Sequence, residues 1–204
     1  MRLAKLLFPL LALVVSACGG GPRPLGDFAP LPPRETARPA TPRPPPAHNA
    51  AIPPAPAGPL LVARVGDYMD GLESQLRHHL RGVLVARQGD VLNVVIPNSA
   101  LFSDDGGVSG DDVLEPLAAI LRSYPHAMAQ VNGFTDTSGT PQQNLVLSQK
   151  RARLIADALV HEGVAAARLS AEGFGQTHLR IATGDNRKEP RNRRIEIVLK
   201  AKPG

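Results

Sequence analysis

One aspartate and one arginine, Asp136 and Arg151, stand out in this sequence by their chemistry and spacing. At about 100° per residue, Arg151 falls in the middle of the apolar face of a helix. Because an isolated buried charge is strongly unfavourable, we expect this guanidinium to have an acidic partner. Asp136 is the nearest candidate, since its loop runs directly into that helix. The apolar residues of the face are Leu147, Leu154, Ile155, Ala158 and Leu159.

This aspartate and arginine side by side would suit a zwitterionic ligand. The carboxylate would bind an ammonium group, and the planar guanidinium would bind a carboxylate through two parallel hydrogen bonds. Asn144 falls on the same side of the helix as Arg151 and adds an amide. The alternative is a purely structural pair that ties the loop to the helix, and periodicity alone does not separate the two.

Catalytic patterns are weak by comparison. The six histidines form no HExxH pattern, and no Gly-x-Ser-x-Gly sequence occurs. The single cysteine, Cys18, precedes the region expected to fold, and alone it cannot build a Cys-rich zinc site. We therefore expect neither a cofactor nor a metal.

The net charge of +5 does not indicate nucleic-acid binding, because the excess lies at one end of the chain. Residues 1–59 contain six basic and two acidic residues, which leaves 17 basic and 16 acidic residues in 60–204. A nucleic-acid binder would gather basic residues on its domain, often with stacking aromatics. This chain has no Trp, two Tyr and five Phe.

The N-terminus has the pattern of a secretory signal, with two basic residues followed by an apolar run over 6–15. That run is shorter than the roughly 20 residues that a spanning helix needs. Residues 15–18, Val-Ser-Ala-Cys, resemble the bacterial lipobox, which implies a signal peptide over 1–17 and lipidation of Cys18. Gly19 then implies sorting to the outer membrane, where the lipid anchor would hold the chain. The alternative is a soluble periplasmic protein with an incidental cysteine.

Residues 18–59 are predicted to be a disordered tether. The segment holds two thirds of the chain's 21 prolines and few large apolar residues, so burial cannot offset its ordering entropy. At about 3.1 Å per residue in polyproline II, it would reach on the order of 100 Å. A Pro-rich ligand for a recognition domain is the alternative.

Residues 60–204 alternate between helical and β patterns. We expect an amphipathic helix over 60–82 and a folded domain over 83–204. Thr140, Pro141 and Gln143 form a capping box that begins the helix of Arg151. The mixed order predicts an α/β sandwich in which helices pack on one face of a mixed sheet. The expected elements are a hairpin of 83–87 and 91–96, helices over 111–123 and 141–161, and strands over 127–135, 169–174 and 193–200.

Three blocks, residues 133–139, Asn144 to Arg151, and 192–197, resemble the OmpA-like peptidoglycan-binding domain that peptidoglycan-associated lipoproteins share. The resemblance covers about 91–200, while 66–70 and 87–90 are similar to a lipoprotein branch of that family. In such domains an aspartate and an arginine hold the free amino acid end of diaminopimelate. By position, the resemblance implies these roles for Asp136 and Arg151, with supporting contacts from Thr135 and Asn144.

The resemblance implies an outer-membrane lipoprotein with a periplasm-facing domain that binds peptidoglycan stem peptides noncovalently and catalyses nothing. One alternative is a docking subunit that attaches a larger envelope complex, with its protein partners, to the wall. A cell-wall hydrolase is the remaining alternative, although the two carboxylates of a glycosidase or the metal or nucleophile of an amidase are not evident.

Two segments depart from the family pattern. Phe102 is followed by Ser103-Asp104-Asp105 where the family usually has Phe-Asp, which leaves ligand contacts of Asp104 and Asp105 open. Lys188-Glu189-Pro190 replaces the usual Gly-Arg-Ala before Asn192, so the local conformation is open as well. Arg193 and Arg194 either touch the ligand or simply solvate the last strand.

Overall fold

In a computed structural model of the protein, the described residues are 52, 53, 55, 58 and 60–203. The predicted signal peptide, Cys18 and most of the predicted tether lie outside them. Of the few tether residues that are described, Ala55 donates its backbone N–H to Ser123 O over 3.2 Å. The carbonyl of Gly58 lies 3.2 Å from His126 Nε2. These residues therefore contact the folded domain.

Five strands and three α-helices make up the described part, together with short 3₁₀ turns. The strand order is β1-β2-β5-β3-β4, in which β3 and β4 are parallel and the other neighbours antiparallel. Among the described helices, none is both long and apolar enough to cross a membrane. The elements are α1 (Val65–His79), β1 (Leu84–Gln88), β2 (Val91–Pro97), α2 (Asp111–Ser123), β3 (Ala127–Phe134), α3 (Pro141–His161), β4 (Leu169–Gly175) and β5 (Arg194–Ala201).

The two faces of the sheet differ because side chains alternate along each strand. One face carries apolar residues that share a hydrophobic core with all three helices, including Val94, Val131 and Ile197. The other face carries cross-strand polar pairs, such as Asn93 Nδ2 donating to Glu196 Oε2 over 2.8 Å. The predicted mixed sheet with helices on one face is confirmed.

Helix α1 belongs to this core and is not a separate appendage. Tyr68, Met69, Leu72 and Leu76 are each at most 1 % exposed. Arg87 of the hairpin also pairs with Asp70, on the helix. The helix ends at His79, a little before the expected stop at Gly82, because Leu80 is already extended at its C-cap.

Helix α3 begins as its capping box predicts. Thr140 Oγ1 accepts from Gln143 N over 3.2 Å, and Gln143 Oε1 accepts from Thr140 N over 3.1 Å. The helix packs closely against β3 and β4, which present glycines. A Cβ built on Gly133 would lie 2.3 Å from Ser148 O, and one on Gly173 would lie 2.3 Å from Gln149 N. Glycine is therefore required where the strands meet this helix.

Gly133→Ala is expected to lower the free energy of unfolding by about 2–3 kcal/mol, because the added methyl group forces α3 away from the sheet. Urea unfolding followed by circular dichroism would measure the loss. Gly66→Ala in α1 is the control, since its Cβ would meet nothing within 4 Å, and we expect a gain of less than about 1 kcal/mol. Equal midpoints for Gly133→Ala and wild type would contradict this packing argument.

Candidate functional site

Asp136 lies in the loop between β3 and α3 and is only 2 % exposed. Its Oδ1 accepts from the backbone N–H and the hydroxyl of Ser138, with a distance of 3.1 Å to the nitrogen. Its Oδ2 accepts from Glu189 N over 3.1 Å. A buried carboxylate needs such donors, so Asp136 joins two loops that are far apart in sequence.

The cation in direct contact with Asp136 is Arg193. Its Nε lies 3.5 Å from Asp136 Oδ2, and its side chain remains 42 % exposed. The expected direct pair between Asp136 and Arg151 is not formed, because the described residues place no carboxylate within 4 Å of the Arg151 guanidinium. Arg193 therefore makes the direct contact with Asp136 that the sequence analysis predicted for Arg151.

Arg151 lies over an aromatic ring. Its Cζ is 5.6 Å from the centroid of Phe102, which is within the range of a cation–π interaction. Phe102 is itself buried, at 8 % exposure. The first loop therefore contributes its aromatic residue to the site. Asp105 turns inward on its own loop, where it accepts from Gly107 N over 3.0 Å.

The electrostatic environment of Arg151 is unfavourable for a cation. Partial burial lowers the pKa of Arg151 below its ordinary value, and the nearby charge of Arg193 lowers it further. The Asp136 carboxylate acts in the opposite direction, as the smallest of the three causes. Arg151 and Asp136 are thus within electrostatic range although they are not bonded, and no anion among the described residues is bonded to Arg151.

The expectation that Arg151 lies in the middle of the buried face was wrong. The buried face of α3 is centred on other residues than the apolar pattern predicts. Arg151 lies at the edge of this face and is half-buried. Leu147, which the apolar pattern placed inside, is 39 % exposed. The physical reason is the close approach to β3 and β4, which puts small residues at the contact where Leu would not fit. The buried residues of α3 are Asn144, Ser148, Ala152, Ile155, Ala156 and Leu159.

Thr135 and Asn144 both lie beside Asp136. Asn144 is buried and donates through Nδ2 to Asp136 O over 3.1 Å and to Gln176 Oε1 over 2.6 Å. Thr135 donates its backbone N–H to Gly175 O over 2.8 Å. Its hydroxyl is buried and has no hydrogen-bond partner among the described residues. Asn144 therefore stabilises the loop, whereas the Thr135 hydroxyl still requires a hydrogen-bond partner.

Residues 188–190, Lys-Glu-Pro, which differ from the family pattern, lead into a turn that Glu189 caps with its own side chain. The Glu189 carboxylate accepts from Arg191 N over 3.1 Å and pairs with the Arg191 guanidinium through two contacts of 2.8 Å. These hydrogen bonds lower the pKa of Glu189 to about 2. The turn presents the Glu189 N–H to Asp136, a backbone contribution that no residue type signals in a sequence.

Thr137 fastens the same long loop from the other side. Its hydroxyl donates to Gly184 O over 2.7 Å and accepts from Arg187 N over 3.1 Å. Both neighbours of Asp136 in the loop, Thr137 and Thr135, are buried. The loop between β4 and β5 is thus held against the loop that carries Asp136.

Arg193 and Arg194 have different roles. The sequence left open whether each touches a ligand or solvates the last strand, and neither alternative describes Arg194. Arg194 is 5 % exposed and lies 4.0 Å from the centroid of Phe134. It donates to Glu196 Oε1 over 2.7 Å and to the carbonyls of Asn192 and His178 over 3.2 and 3.0 Å. Each of its three guanidinium nitrogens thus donates to a group of the domain, and its buried side chain does not solvate the strand. Arg193 faces the site.

The sequence pattern of the OmpA family matches residues 108–193. The chain is 36 % identical over 140 residues to a probable lipoprotein, YiaD, of Escherichia coli (strain K12), an alignment covering 66 % of this chain and 64 % of that protein. The chain therefore spans less than two thirds of this relative's length. It is also 34 % identical over 104 residues to the peptidoglycan-associated lipoprotein of Haemophilus influenzae, covering 50 % of this chain and 68 % of that protein.

Among solved structures, the fold is similar to the cell wall anchor of the T6SS from Pseudomonas aeruginosa, with a TM-score of 0.51 and 28 % identity. That match covers 70 % of this chain and 98 % of the other. The coverage extends beyond the segment that matches the family pattern.

Arg194→Ala is expected to lower the free energy of unfolding by about 3 kcal/mol, because it leaves two backbone carbonyls without their donor and Glu196 without its ion-pair partner. Arg193→Ala, its matched control one residue away, should cost less than about 1 kcal/mol since that side chain is partly exposed. Urea unfolding of both variants tests the division of roles, and equal losses would contradict it.

Glu189→Gln is expected to destabilise the protein in a pH-dependent way. Because the folded pKa of Glu189 is depressed to about 2, its stabilisation is complete above the ordinary value near 4.5 and is lost as the pH falls towards 2. The difference in unfolding free energy between wild type and variant should therefore be constant at neutral pH and shrink below about 4.5. Urea titrations across this range measure it, and a difference that grows on acidification would refute the assignment.

Proposed function

Because the chain belongs to the OmpA family, we propose that its C-terminal domain binds peptidoglycan noncovalently, through the diaminopimelate of the stem peptides. The domain thereby attaches the outer membrane to the cell wall. The free end of diaminopimelate carries an ammonium and a carboxylate on one carbon. Asp136 binds the ammonium and Arg151 binds the carboxylate.

The observation that carries this proposal is the guanidinium of Arg151, which pairs with no carboxylate in the described part of the chain. It is half-buried over Phe102, and burial and Arg193 both disfavour its charge. A ligand carboxylate would supply the missing anion, in a geometry that a planar guanidinium recognises through two parallel hydrogen bonds. The unpartnered hydroxyl of Thr135 beside Asp136 offers a further polar contact.

Arg193 has a place in the same mechanism. In the structure it lies 3.5 Å from Asp136 and offsets the carboxylate's charge. A ligand ammonium that binds Asp136 neutralises the carboxylate in place of Arg193. Arg193 is then released from the pair, and its partly exposed side chain turns to the rest of the ligand.

The N-terminal region supplies the attachment to the membrane in this proposal. Residues 1–17 act as a signal peptide, Cys18 carries the lipid, and 18–59 form the tether to the domain. Two of the relatives are named as lipoproteins, which supports an anchor of this kind. Since stable anchoring takes more than one acyl chain, the lipidated cysteine must carry several.

A second candidate is a docking subunit of a larger envelope complex. The similarity to the cell wall anchor of the T6SS covers 98 % of that chain and favours this role. Binding to the wall is common to both candidates, and only the cargo differs. None of the three relatives reported above is named as an enzyme, which supports binding without hydrolysis.

Pulldown by isolated diaminopimelate-type sacculi tests the proposal. Asp136→Asn and Arg151→Ala should each lower affinity at least about thirtyfold, because truncating one member of a desolvated charged contact costs about 2–5 kcal/mol. Arg151→Lys should recover little, since lysine cannot make the two parallel hydrogen bonds.

Arg153→Ala and Asp157→Asn are the matched controls, since both residues are exposed on α3. Each should bind as wild type does, and circular dichroism should show that every variant is folded. Retention of Asp136→Asn and Arg151→Ala at the wild-type level would reduce the two residues to structural roles. Failure of folded wild type to bind sacculi would refute wall binding by this domain.

A further inference from the structure

A cleft of about 530 Å³ adjoins the site on the side of Arg193. Its floor is apolar and includes Leu84, Val95 and Ile181, and Leu84 is 50 % exposed. A volume of this order is typical of clefts that bind small ligands. The cleft lies between the β1–β2 hairpin and the loop that precedes β5.

The charged side chains that line this cleft are all basic. Four arginines line it, and the described lining contains no acidic residue. Two of the four are already neutralised, Arg191 by Glu189 and Arg194 by Glu196. Arg180 is exposed and forms no ion pair with any other described residue. Arg193 pairs with Asp136, so it is Arg180 that leaves the cleft with an excess of positive charge.

The wall of the cleft that carries Arg180 is held in place by buried side chains. Asn192 is fully buried, accepts from Ile181 N over 2.9 Å and donates to Ile181 O over 2.8 Å. Arg194 donates to His178 O over 3.0 Å. Because these bonds fix the backbone on both sides of Arg180, a ligand does not have to order this segment on binding.

We propose that this cleft is a second subsite, which binds a further carboxylate and the apolar groups of the same stem peptide. The inference rests on the proposed function and extends it. Arg180 binds the carboxylate, and Leu84 and Val95 contact the methyl and methylene groups next to it. The site as a whole then selects stems whose glutamate carboxylate is free over stems in which it is amidated.

Continuity with the first site favours the stem peptide as the occupant. Arg193 contacts Asp136 and also lines the cleft, so a single side chain separates the carboxylate of Asp136 from the cleft. The three charged residues of the first site, Asp136, Arg151 and Arg193, carry a net charge of +1 before Arg180 is added. Arg180 raises that charge to +2, which a zwitterion leaves unchanged and a second carboxylate reduces to +1.

Calorimetric titration of the full-length chain in detergent tests the subsite with three soluble probes. These are meso-diaminopimelate, the tripeptide L-alanyl-γ-D-glutamyl-meso-diaminopimelate, and the same tripeptide with its glutamate α-carboxyl amidated. Wild type should bind the free tripeptide about threefold to fivefold more tightly than the amidated one, as expected for one exposed ion pair. Added salt should reduce this preference.

Arg180→Ala should abolish the preference for the free carboxylate and leave the affinity for diaminopimelate unchanged. Arg153→Ala, an exposed arginine on α3 outside the cleft, should keep the preference. Equal binding of both tripeptides by wild type, with diaminopimelate still bound, would overturn the subsite alone. Failure to bind any of the three probes would overturn the proposed function and the subsite together.

A peptide of alanine and glutamate without diaminopimelate separates the stem peptide from an acidic protein segment. We expect it to bind at least tenfold more weakly than the free tripeptide, because it lacks the groups for Asp136 and Arg151. Equal affinity, lost in Arg180→Ala, would reassign the cleft to a protein partner and refute its role in stem binding.

Discussion

The buried carboxylate of Asp136 needs hydrogen-bond donors, and the surrounding loops are arranged to supply them. Ser138 donates from its own loop, while Glu189 N and Arg193 come from the loop that leads into β5. An unpaired carboxylate at this depth would cost several kcal/mol, so the backbone hydrogen bonds from Ser138 and Glu189 stabilise this end of the sheet. The same requirement brings together the residues proposed to bind the ligand.

Glycine and small side chains make that arrangement sterically possible. Gly133 and Gly173 allow α3 to lie against β3 and β4 at a distance that no larger residue permits. This close contact rotates α3 so that Ser148 and Ala152 face the sheet and Arg151 is moved to the edge. Arg151 is therefore partly exposed, and its guanidinium lies over Phe102 where a ligand can reach it.

The excess of positive charge gives the site its selectivity in our interpretation. Arg151 and Arg193 both lie near one aspartate; burial lowers the pKa of Arg151, and the charge of Arg193 lowers it further. Such a site binds an anion more strongly than a neutral group because each added carboxylate relieves repulsion between cations. Arg194, next in the chain, is buried and donates from all three guanidinium nitrogens to groups of the domain.

The sequence by itself determined the elements and supplied the candidate site residues. Helical and β periodicity, the capping box of α3 and the three motif blocks are local signals, and they located every helix and strand of the described domain to within a few residues. Tertiary structure alone decided which cation meets Asp136. Hydrophobic periodicity places Leu147 on the buried face of α3, but packing against the strand glycines favours small residues at that contact. The buried face is therefore centred on other residues, and Arg193 contacts Asp136 in place of Arg151. The contribution of Glu189 also required the structure, because a backbone N–H is present at almost every residue and only the folded loop directs this one to Asp136.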